Sequence, residues 1–310
     1  MPMKAESSGM VIRTTGSFYR VREDSGQIRD CTLRGKIRIQ GLKSTNPIAV
    51  GDRVSFIKES AGETGTITDI APRKNYILRK SVKLSSQYHI LCSNIDQAIL
   101  IATVEEPFTP LGYIDRFLVS CEAYHIPAVI VFNKTDRLMT EKLQDKANDW
   151  YQIYRNCGYT VLPFCATEAG NAEQARALLK DKISFLAGHS GAGKSSLINL
   201  ADPCLNLKTG SVSIASGKGK HTTTFAEMFE LSFGGFVIDA PGFKEMELYA
   251  FTRAELSHYF PEMRKYRDQC RFSNCIHTKE PGCAILEEVR KGNIPESRYH
   301  TYLGMLQSLE

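Results

Sequence analysis

Between Val11 and Ile70 the chain alternates short runs rich in β-branched and aromatic residues with turn-forming clusters. Ser17 to Arg22, Gln27 to Leu33, Arg53 to Lys58 and Gly65 to Ile70 read as strands. They are separated by Asp24-Ser25-Gly26, by Asn46-Pro47 with Gly51-Asp52, and by Ala61-Gly62-Glu63. A strand sends successive side chains to opposite faces, and Gly, Asn and Asp supply the backbone angles of tight turns. Four or five short strands in about 70 residues predict a small closed barrel, OB-like or SH3-like, since period alone does not separate the two. Pro72 to Ser86, with Arg73, Lys74, Arg79, Lys80 and Lys83, reads as a basic linker.

Beyond the linker the period changes. Apolar runs at Ile95 to Val104, Ala128 to Phe132, Thr160 to Phe164, Ile183 to Ala187 and Phe236 to Ile238 alternate with amphipathic stretches near 113–125, 140–156, 171–180 and 194–201. Apolar strands rich in β-branched residues, alternating with helices, predict an α/β unit with a mostly parallel, doubly wound sheet. After Gly242 the chain turns helical, around Thr252 to Phe260 and Ile294 to Leu309. The expected division is therefore a β-barrel with its linker over 1–84, an α/β domain over 85–245 and a helical domain over 246–310.

At 310 residues, two or three domains of ~100–200 residues are expected. A content of 42% hydrophobic and 24% charged residues is near the globular average, which excludes collagen-like, coiled-coil and wholly disordered chains. No apolar run approaches the ~18 residues of a membrane span, and Met1 to Glu6 lack the apolar core of a secretory signal. A monomeric cytoplasmic protein with no membrane partner is expected. Charge adds a local feature: residues 1–84 hold 16 basic against 8 acidic residues, 85–245 hold 14 against 17, and 246–310 hold 9 of each. The basic excess sits in the barrel region, where it suits either contact with a phosphate backbone or simple solvation.

Gly188-His189-Ser190-Gly191-Ala192-Gly193-Lys194-Ser195 satisfies G-x-x-x-x-G-K-[ST] between an expected strand and a helix that opens with Ser196. Glycines let successive backbone N–H groups turn inward on a phosphate, and the helix N-terminus adds its positive end. Lys194 would neutralise β- and γ-phosphate oxygens, and the Ser195 hydroxyl would ligate Mg²⁺. Asn133-Lys134-Thr135-Asp136 follows the run Ala128 to Phe132, which puts N-K-x-D where open α/β sheets bind ligands. The Asp136 carboxylate can accept from the guanine ring N–H and its amine, donors that adenine lacks there. Leaving a buried carboxylate unmatched costs ~1–3 kcal/mol or more, so guanine is the expected base and an adenine-using metabolic enzyme is disfavoured.

Cys165-Ala166-Thr167, after Thr160 to Phe164, fits the loop whose N–H supports the guanine carbonyl. Asp239-Ala240-Pro241-Gly242 fits D-x-x-G, with Asp239 on Mg²⁺ through water and the Gly242 N–H on the γ-phosphate. Between these motifs, Ser216 to Thr224 is basic and rich in hydroxyls, and Thr223 or Thr224 would complete the Mg²⁺ shell. The base-reading motifs precede the phosphate loop, the reverse of an ordinary GTPase. A sheet of βα units tolerates that rearrangement when old termini are joined and new ones cut in a surface loop, so the order predicts a circular permutation.

Six of the nine cysteines (Cys31, Cys92, Cys121, Cys157, Cys165, Cys204) are scattered and read as buried free thiols. The other three, with a histidine, form Cys270-x4-Cys275-x-His277-x5-Cys283, the donor count and softness of a closed tetrahedral Zn²⁺ site. A disulfide is the competing account. A structural metal fits a small unit whose core is thin.

With N-K-x-D ahead of the phosphate loop, then G-K-G-K-H-T-T-T at 217–224, D-x-P-G and the cysteine–histidine cluster, the chain resembles the circularly permuted, small-subunit-dependent GTPases of the RsgA family. The resemblance implies an N-terminal OB-like barrel, binding to the small ribosomal subunit and its rRNA late in assembly, subunit-stimulated GTP hydrolysis and a checkpoint or factor-release role. It points to His221 as a catalytic residue beside Lys194, because Phe243 stands where Ras-like enzymes place the water-orienting glutamine and an apolar ring cannot do that task. Gly191 stands where potassium-assisted relatives often carry asparagine. The alternative expectation is a guanine-nucleotide-gated rRNA-binding module in which hydrolysis is incidental.

Overall fold

The computed structural model describes residues 6–33, 47–59, 64–80, 88–207, 226–239 and 251–309. Strands β1 (Glu6–Thr14), β2 (Phe18–Glu23), β3 (Ile28–Leu33), β4 (Arg53–Lys58) and β5 (Thr64–Ile70) run in the order β1-β2-β3-β5-β4, and β4 pairs back onto β1. Only β3 and β5 are parallel neighbours within this ring. Five strands closed in this way make an OB-like barrel and remove the SH3-like alternative. Its interior is Val11, Tyr19, Val21, Cys31, Ile48, Val54, Phe56 and Ile67.

The longest barrel strand, β1, is not among the strands expected from the sequence. Its polar opening, Glu6-Ser7-Ser8-Gly9, hides the apolar positions that follow.

The expected basic face changes character. On the described barrel strands Arg13, Arg20, Arg22, Arg29, Arg53 and Lys58 are all ion-paired. Four further bases of the excess, Arg34, Lys36, Arg38 and Lys43, lie outside the described residues.

The expected linker is in part a strand. β6 (Tyr76–Lys80) forms a hairpin with β7 (Tyr88–Ser93), and the residues before it are pinned. Arg73 makes a bidentate contact of 2.6 Å with buried Asp52, and both Asn75 side-chain atoms bond the backbone of Ile95. Arg73 thus serves a fixed contact rather than solvation of a loose connection.

Beyond the hairpin, β8 (Gln97–Ala102), β9 (Ala128–Phe132), β10 (Thr160–Pro163), β11 (Ile183–Ala187), β12 (Glu227–Glu230) and β13 (Phe236–Asp239) make a sheet in the order β10-β9-β8-β11-β13-β12. All are parallel except β12. Helices α1 (Leu111–Ala123) and α2 (Glu141–Asn156) cover one face, and α3 (Ala172–Leu179) and α4 (Lys194–Ala201) the other. On β8, Ala98, Leu100 and Ala102 face the first layer while Ile99 and Ile101 face the second, which is why that strand is apolar from Ala98 onward. Strand β12 also meets β1 at Arg13↔Glu227, so barrel and sheet share one hydrogen-bonded ribbon.

The C-terminal part holds α5 (Pro261–Arg264), α6 (Ala284–Arg290) and α7 (Glu296–Gln307). The helix expected over Thr252 to Phe260 is only a 3-10 turn at Leu256–Tyr259, because Pro261 disfavours helical angles in the residue before it and starts α5 instead. Leu256, Phe260, Met263, Ile285, Tyr302 and Met305 form a separate core that also takes in Val119 of α1. Arg298 of α7 is fully buried. Its Nε donates to Glu262 at 2.7 Å and its Nη1 to Asp115 of α1 at 2.8 Å, while Cζ lies 4.6 Å from the Phe260 ring centre. Of the scattered cysteines, Cys31, Cys92, Cys121, Cys157 and Cys165 are buried free thiols as expected; Cys204, in a turn after α4, is exposed.

Candidate functional site

Since β8, β9, β10, β11 and β13 are parallel, their carboxyl ends lie on one edge; the expected base-reading loops follow β9 and β10, the phosphate loop follows β11, and Asp239 ends β13. After β11, Gly188, Gly191 and Gly193 adopt positive φ of 136°, 79° and 107°, which wraps the backbone before α4 opens at Lys194. Two of these glycines are also required by space. A Cβ on Gly188 would lie 2.3 Å from the Ile101 carbonyl oxygen, and one on Gly193 2.1 Å from Asn133 Nδ2.

Asn133 is the joint of the site. Its Nδ2 donates to the Ala192 carbonyl at 2.7 Å, and its Oδ1 accepts from the Ala166 N–H at 3.0 Å. One buried carboxamide thus ties the loop after β9 to the phosphate loop and to the loop after β10. Asp136, exposed on the same turn, accepts from Cys165 Sγ at 3.2 Å, and Cys165 contacts Thr167 Oγ1 at 3.1 Å. Thr135 Oγ1 donates to the Phe164 carbonyl at 3.2 Å. Lys134, at φ 66°, donates to the Glu106 carbonyl at 2.7 Å, and burial lowers its pKa.

Lys194 Nζ donates to the carbonyls of Gly188 at 2.7 Å and His189 at 3.0 Å, inside its own loop. Burial lowers its pKa, against an upward pull from Asp239 at the end of β13. An ammonium held this way stands ready to exchange two neutral oxygens for anionic phosphate oxygens. The His189 ring lies against Tyr113 of α1 with centroids 4.3 Å apart. Ser190 and Gly191 are exposed, while Ala192 is buried, and Ser195 and Ser196 are half-buried in the first turn of α4.

The second cluster lies in the C-terminal part. The ligand atoms of Cys270, Cys275, His277 and Cys283 all fall within 4.8 Å of one another. Cys270 and Cys283 sulfurs are 3.9 Å apart, and both lie 3.5–3.6 Å from His277 Nδ1. A tetrahedral ion with sulfur at about 2.3 Å has ligand–ligand edges of about 3.8 Å, so the spacing fits a metal. It does not fit a disulfide, whose sulfurs sit at about 2.05 Å. The other ring nitrogen, Nε2, lies 3.3 Å from the buried Ser257 hydroxyl, which fixes the ring with Nδ1 toward the thiols.

The loop between the ligands is drawn around Glu280. Its carboxylate accepts the N–H groups of Ile276, Thr278 and Lys279 at 2.9, 2.8 and 3.0 Å. Burial would raise its pKa, yet these donors hold it down at about 2. Glu280→Gln removes the charge that gathers three N–H groups, and it is expected to weaken metal retention by roughly 10- to 100-fold, as loss of an outer-shell partner does. Competition with a chromophoric chelator measures it; retention equal to the parent would reduce Glu280 to a surface residue.

A family model described as RsgA GTPase matches residues 70–249, and one described as RsgA N-terminal domain matches residues 8–67. The chain belongs to the RsgA GTPase family. The small ribosomal subunit biogenesis GTPase RsgA of Flavobacterium johnsoniae is 46% identical over 305 residues, 98% of this chain and 94% of that one. The relative named RsgA 2 in Bacteroides thetaiotaomicron is 45% identical over 97% of each chain. The crystal structure of YjeQ from Thermotoga maritima matches with a TM-score of 0.78 at 36% identity, over 98% of this chain and 99% of that one. That of YloQ, a circularly permuted GTPase, matches with a TM-score of 0.76 at 26% identity, over 100% and 97%.

The RsgA fold expected from the sequence is present: OB-like barrel, permuted GTPase sheet, and a C-terminal part whose cysteine–histidine cluster can hold a metal. Asn133 to Asp136, Cys165 and Ala166, the loop Gly188 to Ser195, Ser196 and Asp239 lie at one edge of the RsgA sheet. His221, Thr223, Thr224, Gly242 and Phe243 lie outside the described residues. Among the described residues no helix is long and apolar enough to cross a membrane. Sequence reasoning missed Asn133 as a joint between loops, Glu280 as the organiser of the metal loop, and Tyr113. The tetrapeptide N-K-T-D marks the first; local sequence gives no sign of the others.

Proposed function

We propose that the chain binds the small ribosomal subunit and hydrolyses GTP there to drive a late step of its assembly. The observation that carries the nucleotide part is the Asn133 carboxamide, which makes the base-reading turn and the phosphate cradle one site. In this reading Asp136 reads guanine, the Ala166 N–H supports its carbonyl, the N–H groups of residues 188–196 cradle the β-phosphate, and Lys194 neutralises the oxygens around it. Ser195, Asp239 and Thr223 or Thr224 hold Mg²⁺, and the Gly242 N–H senses the γ-phosphate. Phe243 offers no hydrogen bond to water, so His221 or the bound subunit must place the attacking molecule. The cluster at Cys270, Cys275, His277 and Cys283 holds one structural Zn²⁺, four protein donors leaving no open position for chemistry.

The small subunit as partner is supported by the relatives named for its biogenesis. Residues 1–84 and 246–310 would grip rRNA on either side of the GTPase at 85–245, in a monomeric cytoplasmic protein. The bases at 34–43, to which the described barrel strands add only paired charges, are the candidates for the phosphate contacts.

Turnover measured with purified small subunits, large subunits and naked RNA tests the proposal. A rise on the order of a hundredfold or more with small subunits alone is expected. Tight GTP-dependent binding without that rise would instead make the chain a nucleotide-gated RNA-binding module.

A further inference from the structure

Contacts run without a break from the metal loop to the phosphate loop. The hydroxyls of Tyr299 and Tyr302, both on α7, donate to the backbone carbonyls of His277 and Ile276 at 2.8 and 2.7 Å, so α7 is bonded to the loop carrying the histidine ligand. The same helix is held to α1 by Arg298 on Asp115, and Thr301 passes so close that a Cβ on Gly112 would touch it at 4.0 Å. From the GTPase side Tyr154 of α2 bonds Asp115 at 2.9 Å. The N-terminal half of α1 is therefore held at Asp115 by the C-terminal part and lies beside Thr301 at Gly112.

Tyr113, two residues before Asp115, packs on His189 with centroids 4.3 Å apart and the ring planes tilted by 31°. His189 supplies one of the two carbonyls that hold the Lys194 ammonium. A ring packed at this distance restricts both the His189 side chain and the peptide beside it. The nucleotide motif explains neither the aromatic residue on α1 nor its placement between two sites.

We propose that Tyr113 is a positioning residue for the phosphate loop, and that through it the nucleotide site and the C-terminal metal-bearing part are energetically coupled. The proposal rests on the guanine-nucleotide reading of the loop. Coupling is reciprocal: if the seat of α1 sets the shape of the loop, nucleotide in the loop must stabilise α7 by the same free energy. Packed side chains and a buried ion pair are the kind of contiguous network that carries such an effect.

The test uses the full, metal-loaded chain in three forms: parent, Tyr113→Ala and Tyr113→Phe. Affinity for GDP is read by titration, and hydrogen exchange of the α7 amides is read with and without GDP. Tyr113→Ala is expected to bind GDP about 5-fold or more weakly, a typical coupling factor, and to lose the GDP-dependent protection of α7. Tyr113→Phe keeps the ring and should retain both. Equal GDP affinity in all three forms, or protection of α7 that survives in Tyr113→Ala, overturns the proposal. So does loss of affinity with both substitutions, because the stack would not then be what matters. A parent protein that binds no guanine nucleotide would overturn the functional reading instead.

Discussion

Asn133→Ala is expected to lower affinity for GDP by roughly 30- to 1,000-fold while leaving the fold in place. The substitution leaves the Ala192 carbonyl and the Ala166 N–H without their shared partner, both in buried surroundings. Each unsatisfied group costs about 1–3 kcal/mol; where the free variant escapes that cost by letting the two loops part, binding must bring them back together, and about 2–4 kcal/mol for the pair then appears as one and a half to three powers of ten in affinity. Water entering beside Gly193 would recover part of the loss, which is why the lower end of the range is realistic. Titration with a fluorescent GDP analogue reads the affinity, and a thermal melt within a few degrees of the parent shows that the fold survives. Binding within threefold of the parent would mean that phosphate loop and base-reading turn keep their relation without this side chain. Asn133→Asp is a sharper control, because it preserves the acceptor for Ala166 but sets a carboxylate oxygen against the Ala192 carbonyl.

Arg298→Met is expected to cost about 3–5 kcal/mol of stability, the range for breaking a buried ion pair from one side. The substitution fills much of the volume but strands Asp115 and Glu262, both almost wholly inside. Burial already pushes the Asp115 carboxyl up, with the Arg298 guanidinium pulling against it. Without the guanidinium the upward cause acts unopposed. A carboxyl whose folded pKa is raised is cheapest below its unfolded value near 3.8 and loses stability as pH rises through the folded one. The deficit of the variant should therefore be largest near neutral pH and shrink on acidification, as read by urea denaturation across the range. Replacing the group together, as Asp115→Leu, Glu262→Met and Arg298→Met, should regain most of the loss because no charge is then left inside. A deficit that ignores pH, with no recovery in the triple variant, would assign the effect to packing alone.

The strands beneath the nucleotide motifs were legible because they are buried on both faces and so are almost wholly apolar, as Ala128 to Phe132 shows and as Ile183 to Ala187 shows with Ser184 as its one polar position. The motifs were legible because phosphate and base recognition constrain residue type locally. What failed was whatever depends on distant partners. β12 is four residues long and owes its existence to β13 and β1. The hairpin of β6 with β7 was hidden by Arg and Lys residues that suggested a loose tether. On α7, Tyr299, Tyr302, Met305 and Leu306 mark the inner face, yet Arg298 beside them would be placed in solvent by any local rule. Glu262 and Asp115, 36 and 183 positions earlier in the chain, explain its burial.

The bridge of β1 to β12, flanked by the pairs of Arg13 with Glu227 and Arg22 with Glu230, bears on docking to a large assembly. A barrel tethered by flexible chain would have to surrender orientational freedom each time it landed, and that loss would be subtracted from every contact made. Here the β-ladder meets much of that cost during folding. In the proposed reading the two halves would present a template of set spacing to rRNA, and a surface of the wrong spacing would be refused before any single phosphate contact is tried.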